Sequence, residues 1–250
     1  SHGEQEDAET QTGNSRLMEL LGAVLVPCSR DRIAEKVDAV MEGLAGQGHR
    51  PYYIYGNRLG RGNEGVAAGA YAAAYREILS QSEELNVAFD SIFLPSGTGA
   101  TQSGLICGHL LNGDSTKIIG ISVSRDRERG TEILREGVQS YFCLHGLALP
   151  ADADSQICLE DGYRKGGYGC FDDEILSCIR RVFQQYGIPL DPTYTGKGFL
   201  GMMQYLEEHQ ITGENILFLH TGGAPLFYDM LNAGLLRASV CQRRPPYHVA

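Results

Sequence analysis

The chain has 250 residues, 42% of them hydrophobic, enough to bury a sizeable core as one large domain or two lobes. Its 31 acidic residues against 21 basic ones leave a formal charge of -10 with no basic block, which argues against a nucleic-acid partner. No apolar run is long enough to span a bilayer and the first residues are acidic and polar, so a cytoplasmic protein without a membrane role is expected.

Residues 1–12 carry no periodicity and read as a flexible acidic arm. A short helix is predicted over Asn14–Leu21, then an apolar run from Ala23 to Val26 that opens as a strand. Ile33, Val37, Val40, Met41 and Leu44 recur at helical spacing, and Gly46 and Gly48 end that helix. Tyr52–Tyr55 reads as a strand, and Gly56–Gly65 as a glycine-rich loop long enough to line a pocket. The next helix places Val66, Ala70, Tyr71, Ala74, Tyr75 and Ile78 on one face.

Ile92–Leu94 and Ile118–Val123 are short β-branched runs flanking another helical pattern, the signature of a β-α-β unit with a parallel sheet. Between them lies Ser96-Gly97-Thr98-Gly99-Ala100-Thr101-Gln102-Ser103-Gly104, directly after the first strand. Glycines let the backbone turn sharply and approach a ligand, while amides and hydroxyls at a helix start converge on negative charge. The segment taken alone reads equally well as a phosphate cradle or as a capped strand-to-helix turn. A helix is predicted from Asp172 to about Tyr186 with Ile175, Ile179, Val182 and Phe183 inward, then a turn at Pro189–Pro192 and a helix from about Gly198 to His209. Ile216–Leu219 is the last strand, and it enters a second glycine turn, His220-Thr221-Gly222-Gly223-Ala224-Pro225. Both turns then lie at the carboxyl edge of one open sheet, where α/β folds bind ligands. Residues 237–250 read as an irregular tail.

The cysteines at 28, 107, 143, 158, 170, 178 and 241 are odd in number and hold no Cys-x-x-Cys pair, which speaks against a disulfide framework or a structural metal site. They read as reduced core residues.

Gly13-Asn14, the Ser96–Gly104 loop, Asp191-Pro192-Thr193-Tyr194-Thr195-Gly196-Lys197 and His220–Pro225 occur in this order. Together they resemble the D-cysteine desulfhydrase and 1-aminocyclopropane-1-carboxylate deaminase family of pyridoxal-phosphate enzymes, from about Gly13 to about Asn232. The resemblance implies an α/β fold of open, mainly parallel sheets flanked by helices in two lobes, the fold type II architecture also called tryptophan-synthase-β-like. In its terms residues 62–236 are the larger, cofactor-binding lobe and residues 13–61 what is present of the smaller one. It further implies pyridoxal 5'-phosphate as cofactor, a small amino-acid substrate and a homodimer.

Carried over residue by residue, the resemblance implies that Gly97, Thr98, Gly99, Ala100 and Thr101 hold the cofactor phosphate. Thr221 and Gly222 of the second turn are implied to contact the cofactor too. Tyr194, and Tyr168 in Gly167-Tyr168-Gly169, are the implied active-site tyrosines, against the alternative of amphipathic core positions. Deaminase-type relatives carry a glutamate after the first tyrosine, where it favours a protonated pyridine ring. Thr195 stands there instead, which favours β-elimination from a cysteine-like substrate over cyclopropane opening. The family's Schiff-base lysine and its Ser-Asn-His segment precede the match, and neither occurs in residues 1–12. Lys36, Lys117, Lys165 and Lys197 match no Schiff-base position, so the chain is expected to be N-terminally incomplete. Two readings follow: a lyase, or a silent phosphate-binding or partner-binding piece.

Overall fold

A computed structural model describes residues 12–57 and 61–236. Strands β1 (Ser91–Ser96), β2 (Lys117–Ser122), β3 (Cys158–Glu160) and β4 (Ile216–Phe218) form a parallel sheet in the order β3-β2-β1-β4. Phe93 lies opposite Ile119 on one side and Phe218 on the other. The period-two alternation of β1 sends Ile92 and Leu94 to one face and Phe93 to the other. Both faces are covered, which is why these strands are continuous apolar runs.

One face is covered by α3 (Glu64–Leu85), α4 (Ala100–Asn112) and α5 (Arg127–Leu144). The other carries α7 (Thr195–Glu208), with Met202 against Phe93, Ile119 and Ile121. Helices α6 (Asp173–Tyr186) and α8 (Ala224–Asn232) complete a second apolar cluster with α7 through Ile175, Ile179, Leu200 and Phe227.

The buried face of α3 is Gly65, Ala68, Ala72 and Tyr75, so of the expected stripe only Tyr75 is fully buried, while Val66 and Ala70 face solvent. Close packing decides this. A Cβ on Gly104 of α4 would stand 2.3 Å from the Ala68 carbonyl oxygen, and one on Gly108 would stand 2.5 Å from Tyr75 Cβ. Helices that approach so closely select small residues over large apolar ones at the seam.

Helix α1 (Gly13–Leu20) and helix α2 (Ile33–Gly46) form where periodicity placed them, but none of residues 12–29 and 31–57 is buried. Neither Ala23–Val26 nor Tyr52–Tyr55 is a strand. A strand needs a partner for its backbone groups, and among the described residues the only bridge nearby is the isolated pair Gly56 and Gly62. Phe183 is 40% exposed rather than inward, although its ring reaches Phe227 at 4.8 Å between centroids. Helix α7 begins at Thr195, three residues ahead of its predicted start, because Asp191 caps it.

Between Val123 and Asp172 the sequence pattern marks no element, yet α5 and β3 stand there. The buried side of α5 is only Leu134, Val138, Tyr141 and Phe142 with two glycines, diluted by charged residues. Cys107 and Cys178 are buried, with burial pushing the Cys107 thiol up to about 12, but Cys143 and Cys170 are exposed and so are not core residues. The described cysteines are all free, and Cys241 lies outside the described residues. Among the described residues no helix is long and apolar enough to cross a membrane, and no cluster of metal-ligating side chains occurs.

Candidate active site

Strands β1 and β4 are neighbours, and the chain leaves their carboxyl ends in the two glycine turns before α4 and α8. From β1 the sheet extends through β2 to β3 on one side only, while β4 is added on the other. The crevice beyond β1 and β4 is therefore a topological switch point. It holds a cleft of about 380 Å³ lined by Asn14, Tyr71, Pro95, Gly97, Thr98, Thr101, Tyr194, Thr221, Gly222, Gly223, Pro225 and Leu226.

Helix α4 starts with its amides available, whereas in α8 Pro225 carries no N–H. Gly99, with φ of 90°, precedes α4, and Gly223, with φ of 101°, precedes α8; neither helix has a side-chain cap. Among the described residues the amides of Thr98, Gly99, Ala100 and Thr101 have no acceptor. Unsatisfied donors, two positive helix ends and the hydroxyls of Thr98, Thr101 and Thr221 make the cleft a receptor for a compact anion.

Gly97, Thr98 and Thr101 line this cleft, whereas Gly99 and Ala100 are not among its lining residues. Gly99 shapes the turn instead: a Cβ there would lie 2.9 Å from Ile133 Cγ2. Thr221 and Gly222 line the opposite side, but the Gly222 amide is donated to His220 Nδ1 at 3.2 Å. The other ring nitrogen of His220 lies 3.0 Å from the Pro189 carbonyl, so the neutral Nε2–H tautomer satisfies both bonds.

Tyr194 is on the wall, and its hydroxyl lies 2.7 Å from that of Tyr168. Burial, and then this hydrogen bond, push the Tyr194 hydroxyl well above the ordinary tyrosine range. Tyr168 itself is 65% exposed and reaches the cleft only through Tyr194. Its loop is tightly turned, with positive φ at Lys165, Gly166, Gly167 and Gly169.

Thr195 does not reach the cleft wall. Its side chain is fully buried, donating to Asp191 Oδ2 at 2.7 Å and accepting from the Asp191 amide at 2.8 Å. Asp191, quoted above only as part of a motif, organises this corner: Oδ1 accepts the amides of Thr193 and Tyr194, and Oδ2 accepts that of Thr195. The Asp-Pro-x-Tyr spacing, with a carboxylate before three amides at a helix start, is the signal that could have revealed it. Asn14, Tyr71, Pro95, Gly223, Pro225 and Leu226 are further lining residues that no sequence motif marked as part of the site.

None of the chain's four lysines lines the cleft. Lys36 and Lys117 are exposed, and Lys165 pairs with Asp172 and Glu174. Lys197 is buried, donating to the carbonyls of Gly167 at 2.7 Å and Val123 at 3.2 Å, and burial lowers its pKa. The cleft therefore fits the phosphate of a pyridoxal-phosphate group through amides and threonine hydroxyls, while none of the four lysines is placed on its wall to hold the aldehyde end.

Comparison with known proteins agrees with that chemistry. The sequence profile of the family described as "Pyridoxal-phosphate dependent enzyme" matches residues 6–222. The chain is 31% identical over 230 residues to D-cysteine desulfhydrase of Serratia proteamaculans, covering 90% of this chain and 66% of the relative. It is 33% identical over 221 residues to D-cysteine desulfhydrase of Klebsiella pneumoniae, covering 86% of this chain and 64% of the relative. The chain thus spans somewhat less than two thirds of these curated relatives. A solved structure described as an ACC deaminase homologue superposes with a TM-score of 0.76 at 31% identity, covering 92% of this chain and 67% of that one. Threonine deaminase isoform 2 from Solanum lycopersicum shares the fold, with a TM-score of 0.54 at 18% identity over 89% of this chain and 62% of that one. With a profile match over most of its length and this sheet-edge anion cleft, the chain belongs to the pyridoxal-phosphate-dependent enzymes.

Proposed function

We propose that the protein is a lyase that removes the β-substituent of D-cysteine or a related small amino acid, releasing pyruvate, ammonia and sulfide. The observation that carries this reading is the pairing, in one cleft, of an anion receptor with the Tyr168–Tyr194 hydroxyl pair. Pyridoxal phosphate, when bound, supplies an electron sink that stabilises negative charge at the substrate Cα. Thr98, Thr101 and Thr221 would hold its phosphate. The Tyr194 hydroxyl, kept protonated by burial and by its partner, is positioned to donate a hydrogen bond into the cleft.

The lining of the cleft contains no carboxylate. The lining residues would therefore offer a pyridine nitrogen no carboxylate partner, which supports β-elimination over cyclopropane opening. The similarity to two D-cysteine desulfhydrases points the same way. The same reading includes division into a larger lobe over 62–236 and a smaller one represented by 13–61. A cytoplasmic location, a homodimer and no nucleic-acid partner complete it; the net charge of -10 speaks against a polyanion, and the exposed apolar side chains of Leu17, Leu20, Leu21, Val24, Leu25 and Val26 support an interface.

The placement of the four lysines favours a second reading for the 250-residue chain taken alone, phosphate-group binding without turnover. The test uses the protein as its gene encodes it, incubated with pyridoxal phosphate and D-cysteine, with sulfide and pyruvate assayed together. Equal release of both is expected. Faster deamination of 1-aminocyclopropane-1-carboxylate than of D-cysteine would overturn the substrate assignment.

A further inference from the structure

We infer that Arg125, on the loop between β2 and α5, is a positioning residue for the anion cradle. It turns the Gly97–Thr98 peptide so that the Thr98 amide faces the cleft, and it places an unneutralised positive charge behind that peptide. The inference rests on reading the cleft as the phosphate site.

The Arg125 guanidinium donates through Nη1 to the Gly97 carbonyl oxygen. In a trans peptide the carbonyl of one residue and the amide of the next point in opposite directions. Strand β1 lies between β2 and β4, and the Arg125 loop follows β2 while the cleft opens on the β4 side. Holding the Gly97 oxygen toward the β2 side therefore directs the Thr98 N–H toward the cleft that Thr98 lines. Gly97 has no side chain to resist the rotation: a Cβ there would meet only Val123 and Tyr194, at 3.5 and 3.7 Å. Something else must fix that peptide, and Arg125 does.

Arg125 is itself held. Buried Ser122 donates its hydroxyl to the Arg125 carbonyl at 2.6 Å. Arg127 and Arg129 pair with Glu160 and Glu132, but no carboxylate among the described residues pairs with Arg125. Its half-buried charge is thus left uncompensated one peptide away from the receptor, where a phosphate dianion in the cleft would offset it across that peptide.

The test compares pyridoxamine 5'-phosphate with pyridoxamine by calorimetry on the wild-type chain, Arg125→Met and Arg125→Lys. Neither probe has an aldehyde, so no lysine is needed for binding. The wild type is expected to favour the phosphorylated probe. Arg125→Met should reduce that preference about tenfold, and Arg125→Lys, which keeps the charge on a flexible stem, about threefold. The wild-type preference should fall with added salt more steeply than that of Arg125→Met. Equal loss of affinity for both probes in Arg125→Met, with a lowered melting temperature, would reduce Arg125 to a structural residue and overturn the inference. An unchanged preference would do the same. No preference in the wild type would instead overturn the phosphate reading of the cleft and this inference with it.

Discussion

Replacing Asp191 by alanine should be among the most damaging single changes at the edge of the site. Its side chain is fully buried and accepts the amides of Thr193 at 2.9 Å, Tyr194 at 2.7 Å and Thr195 at 2.9 Å, plus the Thr195 hydroxyl at 2.7 Å. Losing such a cap costs about 0.5–2 kcal/mol, and each buried donor left without an acceptor about 1–3 kcal/mol. Thr195 is buried outright, whereas water can reach Thr193, so the sum is about 3–5 kcal/mol, a large share of an ordinary domain's stability. Asp191→Asn keeps one acceptor but turns an NH2 toward amide donors, and about 2–4 kcal/mol of loss is expected. Thr195→Val, which removes one hydroxyl, should cost about 1 kcal/mol. Urea unfolding followed by far-ultraviolet circular dichroism measures all three as midpoint shifts at constant slope. A loss below about 1 kcal/mol for Asp191→Ala would refute the claim that this carboxylate organises the corner. The damage should also reach the cleft, because a Cβ on Gly223 would lie only 2.4 Å from Asp191 Oδ2 and the two turns therefore share a contact.

Tyr168→Phe should leave stability within about 0.5 kcal/mol, since the ring is largely exposed, while the Tyr194 phenol titrates at lower pH. That phenol should remain above the ordinary range because burial is the larger cause, which alkaline absorbance titration reads directly. Burial by itself would raise the Asp114 carboxyl, but hydrogen bonds from Tyr75, the Thr116 amide, Asn112 and His109 bring it from 3.8 down to about 2. A carboxyl depressed on folding contributes stability that is present above about pH 4 and lost as pH falls toward about 2, worth about 2 kcal/mol here. Asp114→Asn should flatten that stretch of a stability-against-pH curve; an unaltered curve would contradict the assignment. Gly104→Ala should cost about 3 kcal/mol or more, because the added methyl would meet the Ala68 carbonyl at 2.3 Å and Tyr71 Cβ at 2.4 Å. As Tyr71 lines the cleft, binding of a phosphorylated pyridine probe should weaken in the same variant.

The local pattern was sufficient for much of this protein. Apolar β-branched runs around a helical stretch identify β1, α4 and β2 as a parallel unit, and two glycine turns after strands locate the ligand edge. These features are readable because they depend on backbone conformation and on the period of neighbouring side chains. The ordered motifs added the cofactor family, and Gly97, Thr98, Thr101, Tyr194, Thr221 and Gly222 do line one cleft.

Packing partners distant in sequence decided the rest. Tyr52–Tyr55 has strand composition, yet no described strand lies beside it to complete its hydrogen bonds. The inner face of α3 is set by how closely α4 approaches it, which no periodicity within α3 contains. Thr195 has a ligand-binding residue type in a ligand-binding motif, but Asp191 takes both its donor and its acceptor and withdraws it from the cleft. Arg125 lies 28 residues from Gly97 in a segment with no motif, and only the pairing of β1 with β2 brings its guanidinium behind the cradle. The sequence by itself determined which backbone segments turn and which cofactor chemistry they suit. The tertiary structure alone decided which polar groups remain free to face a ligand, because a donor's availability depends on every acceptor that folding brings within reach.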